Sequence, residues 1–276
     1  MIIVITIYSL RLKKILLSVW PVQKKQLNKI NHPYGNFKSS LFKFCKNLIQ
    51  YTTRSILSLV CKLEEDDNIL ISSATHSPWI RDKKFKLFYN KVKNLTLLDE
   101  QRSYTLWKIA QNLRNVNASI LDVGCLLGGS GFLLSKANNK GIVYLFDSFQ
   151  GFEESDGLHK KEDIFYFEDI NSVKRNISLF KLKNTFVEKA FFPNRIKAKI
   201  NKIKLCHLDV NTYNSTKKAF QWVEKKMIKG GVIIFDDFGI WGVDGIKKFI
   251  YSIEAKLEKK YIFINNYSGQ CILIKK

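Results

Sequence analysis

The sequence predicts a doubly wound α/β fold. Its sheet is mostly parallel, with an antiparallel C-terminal hairpin, and a basic, largely helical extension precedes it. Three observations carry this. From about residue 98, short apolar runs alternate with segments of helical period, the pattern of a parallel sheet with right-handed crossovers. The first strand leads into a glycine-rich turn, and three later strands end in an acid: Asp147, Asp209 and Asp236. The last two strands are separated only by Asn265-Asn266-Tyr267-Ser268-Gly269, so they must pair antiparallel.

Residues 1–30 alternate apolar patches with Arg11, Lys13, Lys14, Lys24, Lys25 and Lys29, and 31–36 (NHPYGN) reads as a turn. Phe37 to Leu63 predicts an amphipathic helix with Leu41, Phe44, Leu48, Tyr51, Ile56 and Leu59 along one stripe. A mixed stretch follows to about residue 96, and then the regular pattern begins. Leu98–Asn115 predicts a helix, Ile120–Val123 a strand, Gly131–Ala137 a helix and Ile142–Phe146 a buried strand. A long connection leads to a helix from about Ile170 to Phe180. Strands at Thr185–Val187 and Lys204–Leu208 follow, then a helix over Ser215–Met227 and a strand at Val232–Phe235. A helix near Gly245–Glu258 and strands at Tyr261–Ile264 and Cys271–Ile274 close the chain. The expected domains are therefore an extension, 1–97, and a catalytic domain, 98–276.

The 276 residues hold 46 Lys+Arg against 24 Asp+Glu, a formal charge of +22. Apolar content of 46% supports a true core and excludes wholesale disorder. Residues 1–63 carry 11 basic residues and no acid. Such a front end points to an anionic partner, or to the lysine-rich codon usage of an AT-rich genome. Lys heavily outnumbers Arg, and no base-stacking motif stands out, so the sequence argues against nucleic acid. Five cysteines without CxxC spacing, no span of ~20 apolar residues and no signal-peptide pattern predict a cytoplasmic chain. For residues 1–63 two roles stand side by side. One is a surface arm peripheral to the inner membrane; the other is a helical cap or homo-oligomer element.

The chemistry concentrates at the strand ends, where open α/β sheets bind ligands. Asp122-Val-Gly-Cys-Leu-Leu-Gly-Gly-Ser130 is DxGxxxGGS and departs from the dinucleotide GxGxxG. Its glycines let a ligand approach backbone N–H groups at a helix N-terminus. Asp147, 25 residues beyond Asp122, can accept both ribose hydroxyls of an adenosine. Together these suit S-adenosylmethionine (SAM) better than NAD. Candidate cofactor residues are Asp122, Gly124, Gly128, Ser130, Asp147 and Ser148. Asp209, Asp236 and Asp237 come from two adjacent strand ends and form a hard-oxygen set apt for Mg²⁺. With no Lys or Arg expected among them, their repulsion itself argues for a cation. His207 lies two residues deeper than Asp209 and reads as a satisfied core histidine.

The segment from about Asp99 to Lys276 resembles the macrocin O-methyltransferase (TylF-type) family, Rossmann-like class I SAM-dependent methyltransferases. Six ordered pieces carry the resemblance: Arg102–Leu106, Asp122–Ser130, Asp147–Phe152, Phe191–Pro193, Leu208–Thr216 and Phe235–Gly239. The resemblance implies methyl transfer from SAM, with Mg²⁺, to a hydroxyl of a sugar or glycoside. It places the metal on Asp209, Asp236 and Asp237, and SAM on Gly124 and Asp147. It also implies a lid-like loop opening at Asp147–Phe152.

One position departs. Family members commonly write Leu-Asp-Gly-Asp-x-Tyr-x-Ser-Thr, whose second Asp suits a general base. Here that position is Asn211, preceded by Val210, and an amide takes no proton at neutral pH. A base from the loop (His159 or Glu154), a metal-acidified hydroxyl, and an inactive SAM-binding member are the three readings of this change.

Overall fold

The computed structural model describes residues 37–60, 76–152 and 169–276. They fall into two compact units, Met1–His76 and Ser77–Lys276. In the first, helix α1 spans Phe37–Val60 and leaves Leu41, Ile56 and Leu59 exposed. The roles expected of residues 1–36 lie outside the described residues. No helix among the described residues is long and apolar enough to cross a membrane.

The second unit is a seven-stranded sheet between two layers of helices. Its strands are β1 (Ser119–Val123), β2 (Val143–Asp147), β3 (Thr185–Lys189), β4 (Ile203–Leu208), β5 (Met227–Phe235), β6 (Tyr261–Asn265) and β7 (Cys271–Lys275). The order is β3-β2-β1-β4-β5-β7-β6. β1 to β5 run parallel, while β7 pairs antiparallel with both β5 and β6, as the short Asn265–Gly269 connection requires. The chain order reverses between β1 and β4, so the ligand crevice of such a sheet opens above these two strands.

The strands are apolar on both faces because both faces are covered. On one side Ile120 and Leu205 pack beneath α2 (Pro78–Arg81), α3 (Lys83–Val92), α4 (Glu100–Asn112), α5 (Gly129–Ala137) and α6 (Ile170–Leu179). On the other, Leu121, Val123, Cys206 and Leu208 pack beneath α7 (Tyr213–Glu224) and α8 (Asp244–Leu257). Side-chain caps set several starts: Asp82 accepts from the Phe85 amide, Asp99 from Arg102, Asp169 from Ser172 and Thr212 from Ser215.

Two boundaries differ from the sequence reading. The expected division at 97/98 falls inside the second unit. Phe85, Phe88 and Val92 of α3 are buried in the same core as Leu106 and Trp107, which would otherwise face water. The helix expected over Ser215–Met227 instead runs Tyr213–Glu224, because Thr212 caps it and Met227 opens β5. Among the described residues Cys125, Cys206 and Cys271 are buried free thiols.

Candidate active site

A single crevice lies at the carboxyl ends of β1, β2 and β4. Its walls include Leu98, Arg102, Gly124, Leu126, Ser130, Asp147, Ser148, Phe191, Phe192, Asp209, Asn211 and Asp237. Gly124 is required twice over. Its φ is +90°, and a Cβ there would stand 1.9 Å from the Asp209 carbonyl oxygen. The β1–α5 turn therefore passes directly against the end of β4, as the reversal of strand order demands.

Asp147 ends β2 at the crevice wall. Its Oδ2 accepts from the Leu126 amide and its Oδ1 from the Phe149 amide, each at 2.8 Å. Burial pushes its pKa up, and these two amides oppose the rise. Each oxygen keeps a lone pair for a ligand hydroxyl. Ser148 also lines the crevice, with its hydroxyl donated to the Gly151 carbonyl at 2.7 Å.

Two expected cofactor residues do not line the crevice. Asp122 is wholly buried below the turn. Its Oδ2 accepts from Ser130 Oγ at 2.7 Å and its Oδ1 lies 2.7 Å from His207 Nδ1. It therefore holds the turn from beneath. Gly128 takes φ +90° as the N-cap of α5, and a Cβ there would strike the Phe132 ring at 2.4 Å. It serves packing. Ser130 lines the crevice, but its hydroxyl is committed to Asp122.

Asp209 follows β4, and Asp236 and Asp237 follow β5, so pairing of these strands brings the three acids together. The expectation that no Lys or Arg stands among them is overturned. Arg102 Nη1 donates to Asp236 Oδ1 at 3.0 Å and to Asp237 Oδ1 at 2.8 Å. Its Nε donates to Asp99 at 3.0 Å. His207 is buried and satisfied, as expected, but it belongs to this cluster. Its Nε2 lies 3.1 Å from Asp236 Oδ2 while Nδ1 faces Asp122.

Arg102 is the site residue to which the sequence alone assigns no role, although it stands in one of the six matching pieces. A signal was present. It occupies the third position of α4, where the positive end of the helix dipole disfavours a cation. An arginine placed there needs anions nearby.

The electrostatics follow from these contacts. Burial would lower the His207 pKa, but bonds to Asp122 and Asp236 outweigh it and raise it well above its ordinary value. Burial acts to raise the Asp236 pKa, yet His207 and Arg102 hold it below the usual carboxylate range. Asp209 is pushed well up, by burial first and then by Asp236 and Asp237. Asp237 is raised by burial and by Asp236, against Arg102.

Five carboxylates, those of Asp99, Asp122, Asp209, Asp236 and Asp237, gather around Arg102 and His207. Acids outnumber bases there, and burial together with Asp236 and Asp237 pushes the Asp209 pKa well up. A divalent cation would offset that excess, so the donor set fits one. His207, Asp209 and Asp236 each offer a ligand atom within 4.8 Å of the others, but both His207 nitrogens are already engaged. The oxygens of Asp209, Asp236 and Asp237 make the better set. Asn211 has φ +60° and sits above them. With its amide nitrogen turned inward it donates to Asp209 Oδ1 at 3.3 Å and Asp237 Oδ2 at 3.1 Å. With the amide oxygen inward, three oxygens would oppose one another, which only a cation stabilises. His159 and Glu154, weighed as alternative bases, lie outside the described residues.

A doubly wound sheet with a glycine turn at its switch point and an acid closing the next strand is the architecture of a class I SAM-dependent methyltransferase. The chain belongs to the macrocin-O-methyltransferase (TylF) family, whose model it matches over residues 93–264. No curated protein is detectably similar in sequence. Among solved structures, the O-methyltransferase NovP is 19% identical, with a TM-score of 0.57 over 66% of this chain and 82% of its own. The calicheamicin methyltransferase CalS11 is 10% identical, with a TM-score of 0.49 over 77% and 99% of the two chains. An O-methyltransferase from Bacillus cereus, in complex with SAH, is 17% identical, with a TM-score of 0.47 over 82% and 97%.

Proposed function

We propose that this methyltransferase acts on a hydroxyl of a sugar or glycoside, in surface-polysaccharide or natural-product biosynthesis, with Mg²⁺ held by Asp209, Asp236 and Asp237. The observation that carries this reading is the juxtaposition within one crevice. The SAM-side residues Gly124 and Asp147 line the same space as Asp209 and Asp237, with Asp236 buried just behind and joined to Asp237 through Arg102. Family membership supports the O-methyl acceptor, and NovP, an O-methyltransferase, shares the fold.

Asp147 is placed to accept the ribose hydroxyls. Gly124 admits the cofactor against the β1–α5 turn, where backbone N–H groups and the helix N-terminus favour a carboxylate. Arg102 aims the Asp236 and Asp237 carboxylates from one side and His207 holds Asp236 from the other, which fixes the donor geometry. Bound Mg²⁺ would supply Lewis acidity, making an acceptor hydroxyl easier to ionise. Asn211 holds Asp209 and Asp237 apart by its amide and takes no proton, so the hydroxyl proton passes to water or to another group.

The test is transfer of labelled methyl from SAM to a panel of glycosides, with and without chelator. Transfer that disappears with chelator or in Asp236→Ala, and returns with Mg²⁺ only in the wild type, is the expected result. Undiminished transfer in either case removes the metal from the reading. A second reading, a SAM-binding member without turnover, rests on Asn211. SAM binding with no transfer to any glycan supports it.

A further inference from the structure

The crevice accounts for the acidic cluster but not for the charge of +22. A second groove, on the helical face built by α3 to α6, carries part of it. Lys84, Lys91, Arg114, Lys136 and Lys181 line this groove, and no Asp or Glu does. All five cations are exposed. Among the described residues none of them makes an ion pair, and Lys136 alone has a partner, lying 5.7 Å over the Phe88 ring.

Cations are attracted to helix C-termini, and four such ends meet here. Lys91 lies in the last turn of α3, Gln111 in that of α4 and Lys136 in that of α5, while Leu179 ends α6. Each end is worth roughly −0.5 of a charge, about −2 in all. Five cations exceed that by about +3, so the groove is built for an external anion. Its rim also carries Leu87, 69% exposed, and Leu179, 71% exposed. A soluble polyanion such as a nucleic acid or an acidic glycan gains nothing from bare leucines. A bilayer gains from both, through acyl contact with leucine and headgroup attraction to lysine.

We propose that this groove is a docking face for an anionic lipid bilayer. Its place in the fold gives the docked orientation. α5 runs back from the carboxyl end of β1 to reach the start of β2, so its last turn lies at the amino edge of the sheet. The Arg114 carbonyl accepts from the Lys140 amide at that same edge. The active crevice opens at the opposite edge. Docking through Lys84, Lys91 and Lys181 turns the crevice away from the bilayer, toward acceptors in solution. The proposal stands apart from the methyl-transfer reading and is tested without turnover.

The experiment is co-sedimentation of the full chain with phosphatidylcholine vesicles, with and without phosphatidylglycerol. Pelleting is expected with the anionic vesicles only, and it declines with salt. Each lysine near such a surface contributes about fivefold in partitioning, so K84E/K91E/K181E is expected to weaken it by at least about 100-fold. K217E/K248E, two exposed lysines near the starts of α7 and α8 and so at the carboxyl edge, is expected to bind as the wild type does. L87S/L179S is expected to weaken vesicle binding and leave retention on heparin unchanged. Wild-type pelleting by the triple variant overturns the proposal, as does equal loss in K217E/K248E. Vesicle binding indifferent to Leu87 and Leu179, with heparin retained through the same lysines, makes the partner a soluble polyanion and also overturns it.

Discussion

Asn211 replaces a carboxylate with an amide at the point where Asp209 and Asp237 approach each other. An Asp there would add a third carboxylate to that approach and also supply a proton acceptor. The substitution therefore trades a base for a neutral donor that satisfies both acids. Asn211→Asp is expected to raise turnover by roughly 100-fold, the lower end of general-base contributions. It is also expected to add an acidic limb to the pH–rate profile, since the new carboxyl must ionise first. An unchanged rate and profile would show that the proton leaves by another route. Asn211 was legible as a departure because it stands in a local motif. Arg102 was not legible as its neighbour, because the contact spans 134 residues to Asp236 and depends on how α4 seats over the sheet.

At the scale of elements, β4 joins two polar clusters at opposite ends. Its carboxyl end carries His207 and leads to Asp209, while its amino end carries Lys204, which is wholly buried. The Lys204 ammonium donates to the Val116 carbonyl, Asn138 Oδ1 and the Lys140 carbonyl, each at 2.7 Å, tying three loops to the strand. Burial lowers its pKa to about 8, so it stays protonated at neutral pH. Lys204→Met leaves those oxygens without a donor and is expected to cost about 2–4 kcal/mol of stability. The pH dependence has a definite sign. Above about pH 8 the folded chain releases this proton while the unfolded chain holds it until about 10.5. Lys204 therefore makes stability rise with pH through that window, by no more than about 3 kcal/mol since its three acceptors favour the charged form. Denaturant melts of wild type and Lys204→Met from pH 7 to 10.5 check this; a slope equal in both contradicts it.

The element scale also shows which parts of the fold the sequence carries openly. Parallel strands buried on both faces announce themselves as apolar runs, which marks β1, β2 and β4 closely. The apolar run Val232–Phe235 marks only the buried half of β5, which begins five residues earlier at Met227. The short Asn265–Gly269 connection dictated the antiparallel end. The helices α2 and α3 were not read. Their core contribution rests on Phe85, Phe88 and Val92 within a lysine-rich stretch, too few apolar positions to show a period. Asp122 and Gly128 were read as ligand contacts because a motif records spacing and is silent on depth. In the fold Asp122 supports the turn from below, and Gly128 makes room for the Phe132 ring at the start of α5.

Across the whole molecule, charge is divided by function. The carboxyl edge of the sheet gathers acids that need cations, and Arg102 and His207 meet that need in part. One groove at the amino edge gathers lysines that lack acids. From composition alone the +22 pointed to an anionic partner for the protein at large. Among the described residues, one groove of exposed lysines lies at the sheet edge away from the crevice. The central claim is that the acids of the carboxyl edge hold a divalent cation although an arginine already stands among them. The most direct measurement is calorimetric titration of Mg²⁺ into the metal-free full chain saturated with S-adenosylhomocysteine, beside Asp209→Asn. The account expects one Mg²⁺ bound per wild-type chain and none in the variant. Absence of binding in the wild type, or equal binding in the variant, would mean that Arg102 and His207 already complete the site and would contradict the account.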